Sequence, residues 1–218
     1  MSHALSKKTV LLLLAVAGVT LFGSTLVIRQ LHDEPYPKIL RGFAVTPRSV
    51  GEVHLIDKNN AQLNAGTFRD KWTLVFFGYT NCPDVCPSTL LQLEQLKKSL
   101  ATQAGNTPYQ FLFVTVDPQR DTTQRLKEYV NYFDAGFLAA GGDIAQIKTF
   151  EDVFGAYHQY AKKNPEDTHY AVAHSAEVYI VDPDARYVGK FLPPFDINIL
   201  SNKLTALSNY IQQKGHNA

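Results

Sequence analysis

The sequence predicts an α/β protein: a mixed central sheet with flanking helices, preceded by one N-terminal transmembrane helix. Three observations carry that prediction. Two continuous apolar runs, Trp72–Tyr79 and Tyr109–Val116, have the composition of strands covered on both faces. Several later segments place apolar residues at the three-and-four spacing of a helix. From Thr9 to Ile28 the chain runs twenty residues without a charge.

That first segment is long enough to matter. At about 1.5 Å per residue, a helix of its length spans roughly 30 Å, the hydrocarbon thickness of a bilayer. It has no polar face, as a soluble amphipathic helix would. It is also longer than the apolar region of a cleaved signal peptide, and no A-x-A-like site stands near its end. The reading is therefore a short tail (1–8), a transmembrane anchor (9–28), a linker (29–49) with three prolines, and a folded domain (50–218). With so short a tail before the span, the large domain is expected outside the cytoplasm. The start lacks the Arg- and Ser-rich pattern of a mitochondrial transit peptide. A single-pass protein of a bacterial inner membrane, facing the periplasm, fits better.

Within the domain, Val53–Asp57 and Gln62–Ala65 flank the turn-like Lys58-Asn59-Asn60, an entry hairpin. The strand Trp72–Tyr79 follows. A helix from about Pro87 buries Leu90, Leu93, Leu96 and Leu100. After the strand Tyr109–Val116, Asp121 and Gln124 form the pattern of a capping box, opening a helix that buries Leu126, Val130 or Tyr129, and Phe133. Asp143 caps a further helix with Ile144, Ile147, Phe150 and Phe154 inward. His169–Val181 reads as a strand that turns at Asp182–Ala185 into Tyr187–Leu192. Pro193 and Pro194 end that strand, and a last helix aligns Ile197, Leu200, Leu204, Leu207 and Ile211. An early β-α-β and a late β-β-α make the thioredoxin-like arrangement.

Composition excludes several function classes. Twenty-one basic residues balance 20 acidic ones for a formal charge of +1, with no basic block, so no nucleic-acid footprint exists. Two cysteines cannot build a disulfide-stapled scaffold or a four-thiolate metal site.

Those two cysteines carry the chemistry. Cys82 and Cys86 lie in Gly78-Tyr79-Thr80-Asn81-Cys82-Pro83-Asp84-Val85-Cys86-Pro87, between a buried strand and a helix start, where open α/β folds put their sites. Pro87 suits the first helical position, which puts Cys86 near the N-cap. There the helix dipole favours its thiolate. The spacing is C-x-x-x-C rather than the C-x-x-C of thioredoxin-like redox enzymes. The loop allows the sulfurs to share a disulfide or one ion. Two thiolates with one imidazole suit copper, sulfur selecting Cu(I) and nitrogen helping to hold Cu(II).

Seven histidines are available. His3 and His216 are near the termini, His32 is in the linker, and His54 and His158 sit at element edges without a partner motif. His169 opens a strand as a solvated residue. His174 differs, sharing a strand face with Val172, Ala176, Val178 and Ile180. By spacing alone it reads as a core histidine or a ligand, and the residues leave both open.

Three ordered motifs resemble the Sco/SenC family. They are Gly78–Pro87 with Ser88-Thr89-Leu90, then Val116–Thr122 (VDPQRDT), then Ala173-His174-Ser175 ahead of Val178–Pro183. The resemblance covers roughly residues 50–212. It implies an anchored thioredoxin-fold copper metallochaperone binding one copper ion, Cu(I) or Cu(II), through Cys82, Cys86 and His174. The implied partners are a soluble copper donor protein and the dinuclear copper domain of cytochrome c oxidase subunit II. The alternative is a thiol–disulfide oxidoreductase, with Cys82 and Cys86 as the redox-active pair that reduces the target's cysteines before metallation. A peroxidase reading finds an echo only in Thr80. Two departures from the family pattern stand out: Asn81, where His is frequent, and Ala185, where a turn glycine is common. Asp117 fits either a role in supporting the site or docking, or simple turn formation, whereas helix capping accounts for Asp121.

Overall fold

The structure, a computed structural model, describes residues 8, 16–18, 20, 44–103 and 108–215. The chain divides into two units, residues 1–37 and 38–218. The expected anchor at 9–28 falls largely outside the described residues. Among those described, no helix is long and apolar enough to cross a membrane.

The second unit is built on an eight-stranded mixed sheet. Its strands are β1 (Ala44–Ser49), β2 (Leu55–Asp57), β3 (Gln62–Leu63), β4 (Trp72–Gly78), β5 (Tyr109–Thr115), β6 (Leu138–Gly141), β9 (Val178–Val181) and β10 (Arg186–Phe191). Their order across the sheet is β1-β10-β9-β4-β5-β6-β2-β3. The pairs β4–β5 and β5–β6 are parallel, and the others are antiparallel. Two further strands, β7 (His158–Tyr160) and β8 (Val172–His174), form a separate antiparallel ribbon. The helices are α1 (Val85–Gln103), α2 (Thr123–Phe133), α3 (Ile144–Phe154) and α4 (Ile197–Gly215), with a 3-10 turn at Ala65–Phe68. This is the thioredoxin-like α/β fold.

Every residue of β4 is buried, as its unbroken apolar run requires. Alternation along β4 sends Phe76 and Phe77 to opposite faces. Phe76 meets Phe113, whose ring in turn meets Tyr129 of α2. Phe77 joins Phe150 and Phe154 of α3 and Tyr179 of β9, with ring centroids 5.7–5.9 Å apart. Both faces are therefore covered, and the strand ends project between the covering layers. On the Phe76 side, α1 and α4 join through Ser201 and Ser99.

Four differences from the sequence-derived boundaries bear on the site and its frame. Residues 44–49, assigned to the linker, form β1 on the edge of the sheet, paired with β10. Pro47 is tolerated there because an edge strand leaves backbone donors unpaired. The span His169–Val181 is not one strand. It breaks at Ser175–Glu177, so His174 belongs to the ribbon and does not share a sheet face with Val178 and Ile180. The helix expected from Pro87 begins at Val85. Thr122, not Asp121, caps α2, its side chain accepting from the Arg125 N–H. Asp143 caps α3 as expected, Gln146 returns the bond to complete a capping box, and Gly155 closes the helix in a left-handed conformation.

The turn between β9 and β10 hangs on Asp182. Its fully buried carboxylate accepts from the backbone N–H groups of Asp184 and Arg186 at 3.0 and 2.9 Å and from the Arg186 guanidinium at 2.8 and 2.7 Å. This grip holds Ala185 at a φ of 58°, a left-handed conformation that glycine adopts at less cost. Asp182→Ala removes a charged acceptor from four donors and is expected to cost about 2–3 kcal/mol. Urea denaturation measures it, and a loss under about 0.5 kcal/mol contradicts this role.

Candidate metal centre

The site lies beyond the C-terminal end of β4, where the chain leaves the sheet and enters α1. Gly78 ends β4, and its carbonyl accepts from Val116 N–H at 2.8 Å. A Cβ on Gly78 would stand 2.7 Å from Cys86 Sγ and 2.8 Å from the Phe113 ring. Only hydrogen fits between strand and sulfur, which is why a glycine ends this otherwise bulky strand.

Cys86 sits in the first turn of α1 and is fully buried; Cys82 is half-buried in the loop before it. The Cys86 N–H points back at Cys82 Sγ, 3.4 Å away. The two thiols consequently separate in acidity, and the sequence expectation reverses. The Cys82 thiol is pulled well below its usual range by hydrogen bonding, first from the Cys86 thiol and then from the backbone N–H groups of Cys86 and Asp84. Cys86 is pushed up, first by the hydrogen bond it gives to Cys82 and then by burial. The helix begins two residues earlier than Pro87 indicates. Cys86 is therefore inside it, and the free amides of the first turn face Cys82.

His174 closes the site from the other side. Its Nε2 lies 3.5 Å from Cys86 Sγ, and its Nδ1 lies 2.9 Å from the carbonyl oxygen of Ser175. A carbonyl only accepts, so Nδ1 carries the proton and Nε2 presents a lone pair toward the sulfurs. Ser175 itself is buried and held twice by Tyr157: its N–H donates to the Tyr157 carbonyl at 3.0 Å, and its Oγ accepts from the Tyr157 N–H at 3.1 Å. The imidazole packs edge-on against Tyr79 and Phe76.

Residues of the second motif stiffen the cysteine loop. The buried Asp121 carboxylate accepts from Thr80 N–H at 3.0 Å, Thr80 Oγ1 at 2.5 Å and Thr115 Oγ1 at 2.6 Å. Burial raises its pKa, and these donors oppose the rise. Arg125 donates to Thr80 and to Asn81. Asp121, read from sequence as a cap, instead ties the residues just before Cys82 to the end of β5. Asp117 is fully buried and accepts from Tyr170 Oη at 2.7 Å and from Arg120, whose guanidinium lies 3.6 Å from the centre of the Tyr170 ring. Such burial leaves it no exposed docking role. His158, an ordinary element-edge residue by sequence pattern, pairs with the buried Glu151.

The three donor atoms of Cys82, Cys86 and His174 all lie within 4.8 Å of one another. Atoms bound at about 2.0–2.3 Å to a common ion stand at most about 4.6 Å apart, so small side-chain rotations close the set around one metal. Two sulfurs and an imidazole are soft and borderline donors, a set suited to copper and short of the four protein ligands of structural zinc. Among the described residues the other histidines stay away: His54 and His169 are exposed, and His158 faces Glu151.

A thioredoxin-like domain with two thiols and an imidazole at one strand end is a thiol-based metal-binding or thiol-exchange protein. Residues 44–209 match the SCO1/SenC family, and the chain belongs to it. The mitochondrial SCO2 homolog of Homo sapiens is 33% identical over 184 residues, covering 83% of this chain and 68% of its own. The crystal structure of Arabidopsis thaliana ScoI with copper bound superposes with a TM-score of 0.66 at 28% identity, over 75% of this chain and 98% of its own. Yeast Sco1 with copper bound gives 0.67 at 28% identity, over 72% and 87%.

The split in acidity has a kinetic consequence. Alkylation requires thiolate, so Cys82, with its depressed pKa, should react at pH values well below the ordinary thiol inflection near about 8.5. Cys86 should stay unmodified in the native protein. Mass spectrometry of iodoacetamide-treated, reduced protein across pH measures both. Preferential labelling of Cys86, or an unshifted inflection at Cys82, contradicts the assignment.

Proposed function

We propose that this protein is a copper metallochaperone that carries one copper ion on Cys82, Cys86 and His174. The observation that carries the reading is the convergence of those three donors, from two distant chain segments, on a volume the size of one ion. The copper-bound relatives of the same fold support copper as the cargo.

The residues divide the work of loading and release. Cys82 is half-exposed and already favours the thiolate, so it is the first sulfur an incoming donor protein meets and the first an acceptor's thiol displaces. Cys86, buried and protonated without metal, gives up its proton as copper enters and holds the ion from beneath. His174 offers Nε2 in a fixed tautomer, already turned toward the sulfurs. Cargo passes by ligand exchange, each partner ligand replacing one of these three. The recipient is the dinuclear copper domain of cytochrome c oxidase subunit II, and a soluble copper protein is the donor, in keeping with the family. The uncharged stretch Thr9–Ile28 anchors the chain in a bacterial inner membrane with the domain in the periplasm. After alkaline extraction of membranes the full chain is expected in the pellet; its release contradicts the anchor.

The acidic Cys82 beside a buried Cys86 also favours a second reading, thiol–disulfide exchange. There Cys82 attacks the target's disulfide and Cys86 resolves the mixed disulfide, leaving this protein oxidised and the target reduced. His174→Ala separates the two. Titrating reduced protein with copper should give one ion per chain in the wild type. The variant should keep Cu(I) on its thiols, lose Cu(II) affinity by at least about tenfold, and retain disulfide exchange. Failure of the wild type to bind one ion refutes the chaperone reading. Unchanged Cu(II) binding in the variant removes His174 from the ligand set.

A further inference from the structure

His174 is carried by a structure that has little stability of its own. The β7–β8 ribbon is separate from the main sheet and pairs only three residues a side, His158 with His174, Gln159 with Ala173 and Tyr160 with Val172. A two-stranded ribbon of this size is marginal by itself. Whatever holds it to the body therefore sets where the imidazole of His174 stands.

The side-chain ties to the body fall at its two ends. At the far end, Tyr160 Oη donates to the Val116 carbonyl at 2.7 Å, and Arg120 donates to the Tyr170 carbonyl at 2.9 Å. At the near end, His158 Nδ1 faces both carboxylate oxygens of Glu151, at 2.9 and 2.8 Å. Side-chain exposure there is 7% for His158 and 0% for Glu151. His158 is the residue directly opposite His174. Facing residues in an antiparallel pair have their Cβ atoms about 5 Å apart, on the same side of the ribbon. A displacement of one is thus transmitted to the other.

Glu151 stands on firm ground. It lies in α3, which is capped at both ends and locked into the aromatic core by Phe150 and Phe154 on either side of it. A carboxylate wholly out of water is retained only where a partner compensates it, and His158 is that partner. Glu151 has no contact with the sulfurs or with His174 among its hydrogen bonds and ion pairs, so its place in the core follows from what it does to the ribbon.

We propose that the buried Glu151–His158 pair is a brace that positions the metal ligand His174, by fixing the strand residue opposite it to the rigid helix α3. The proposal rests on the assignment of His174 to the metal, and it also makes a claim about the metal-free protein. Both residues are positioning residues; neither touches the ion.

The test uses three variants of the full chain. Glu151→Leu with His158→Leu removes both partners together, leaving no orphaned charge. Glu151→Asp retracts the carboxylate by one methylene. Glu151→Gln keeps an acceptor at the original reach. Cu(II) affinity and the electron paramagnetic resonance signature of the copper-loaded protein are read together with the imidazole nitrogen resonances of His174 in the metal-free protein. The double variant is expected to lose Cu(II) affinity by about tenfold or more and to move its spectrum toward that of His174→Ala, while keeping one Cu(I) on its thiols. Its metal-free spectrum should show loss of the hydrogen-bonded Nδ1–H signal. Glu151→Asp should shift both readouts in the same direction, and Glu151→Gln should leave them at wild-type values. A folded double variant with the wild-type copper signature and an unchanged Nδ1–H signal overturns the brace. If the double variant does not fold, Glu151→Asp decides alone, and wild-type readouts from it overturn the proposal. Loss of the Nδ1–H signal in a protein whose wild type fails to bind copper would leave the brace standing and strike only the functional reading.

Discussion

A sulfur and a nitrogen 88 residues apart in the chain meet at 3.5 Å, and most of the fold can be read as what holds Cys86 and His174 in that contact. The parallel pairing of β4 with β5 brings the end of β4 level with Thr115, whose hydroxyl grips Asp121. Gly78 lets α1 descend until its first turn rests on the strand. From the opposite direction, the Ser175 carbonyl turns the imidazole so that its lone pair faces the sulfurs. Each contribution is a hydrogen bond or a close approach of modest strength. Together they preorganise three donors that come from a loop, a helix and a ribbon.

Burial divides the two sulfurs into different instruments. Only four positions separate them in the chain, yet the loop sulfur faces solvent under a cluster of backbone N–H groups and the helix sulfur is sealed beneath it. The proposed carrier role calls for this asymmetry. If both sulfurs were buried, the ion could not be handed over without opening the fold. If both were exposed, nothing would protect it in transit. The same asymmetry serves thiol exchange, which is why the imidazole, and not the cysteines, separates the two chemistries.

Much of this was legible in the sequence because the features were local. The unbroken apolar runs mark β4 and β5, the leucine spacing marks α1, and Asp143 marks the start of α3. Features that depend on partners were not. β1 carries Pro47 and Arg48 and shows no alternation, since its role as an edge comes from pairing with β10. β6 (LAAG) is short and small, and is a strand because β5 and β2 flank it. Asp121 matched a capping pattern at the correct spacing, but Thr122 is one residue nearer the helix and leaves the aspartate free to turn inward. Pro87 marks the helix start two residues late, and that makes Cys86 look the more acidic thiol in the sequence. His174 joined the cysteines only through resemblance to a family. No strand pattern announces that a ribbon will break from the sheet and lean over a loop. His158 and Glu151, ordinary in sequence, acquire meaning only from the register that sets His158 opposite His174.

In the proposed site one ion is held by two sulfurs and one imidazole of a single chain. X-ray absorption at the copper K-edge of the loaded protein tests it directly. The expected result is two sulfur scatterers and one nitrogen scatterer with the outer-shell pattern of an imidazole. That pattern should vanish when His174 is replaced, while the sulfur count stays at two. A site with sulfur ligands only, or with three or four sulfurs shared between chains, would contradict it.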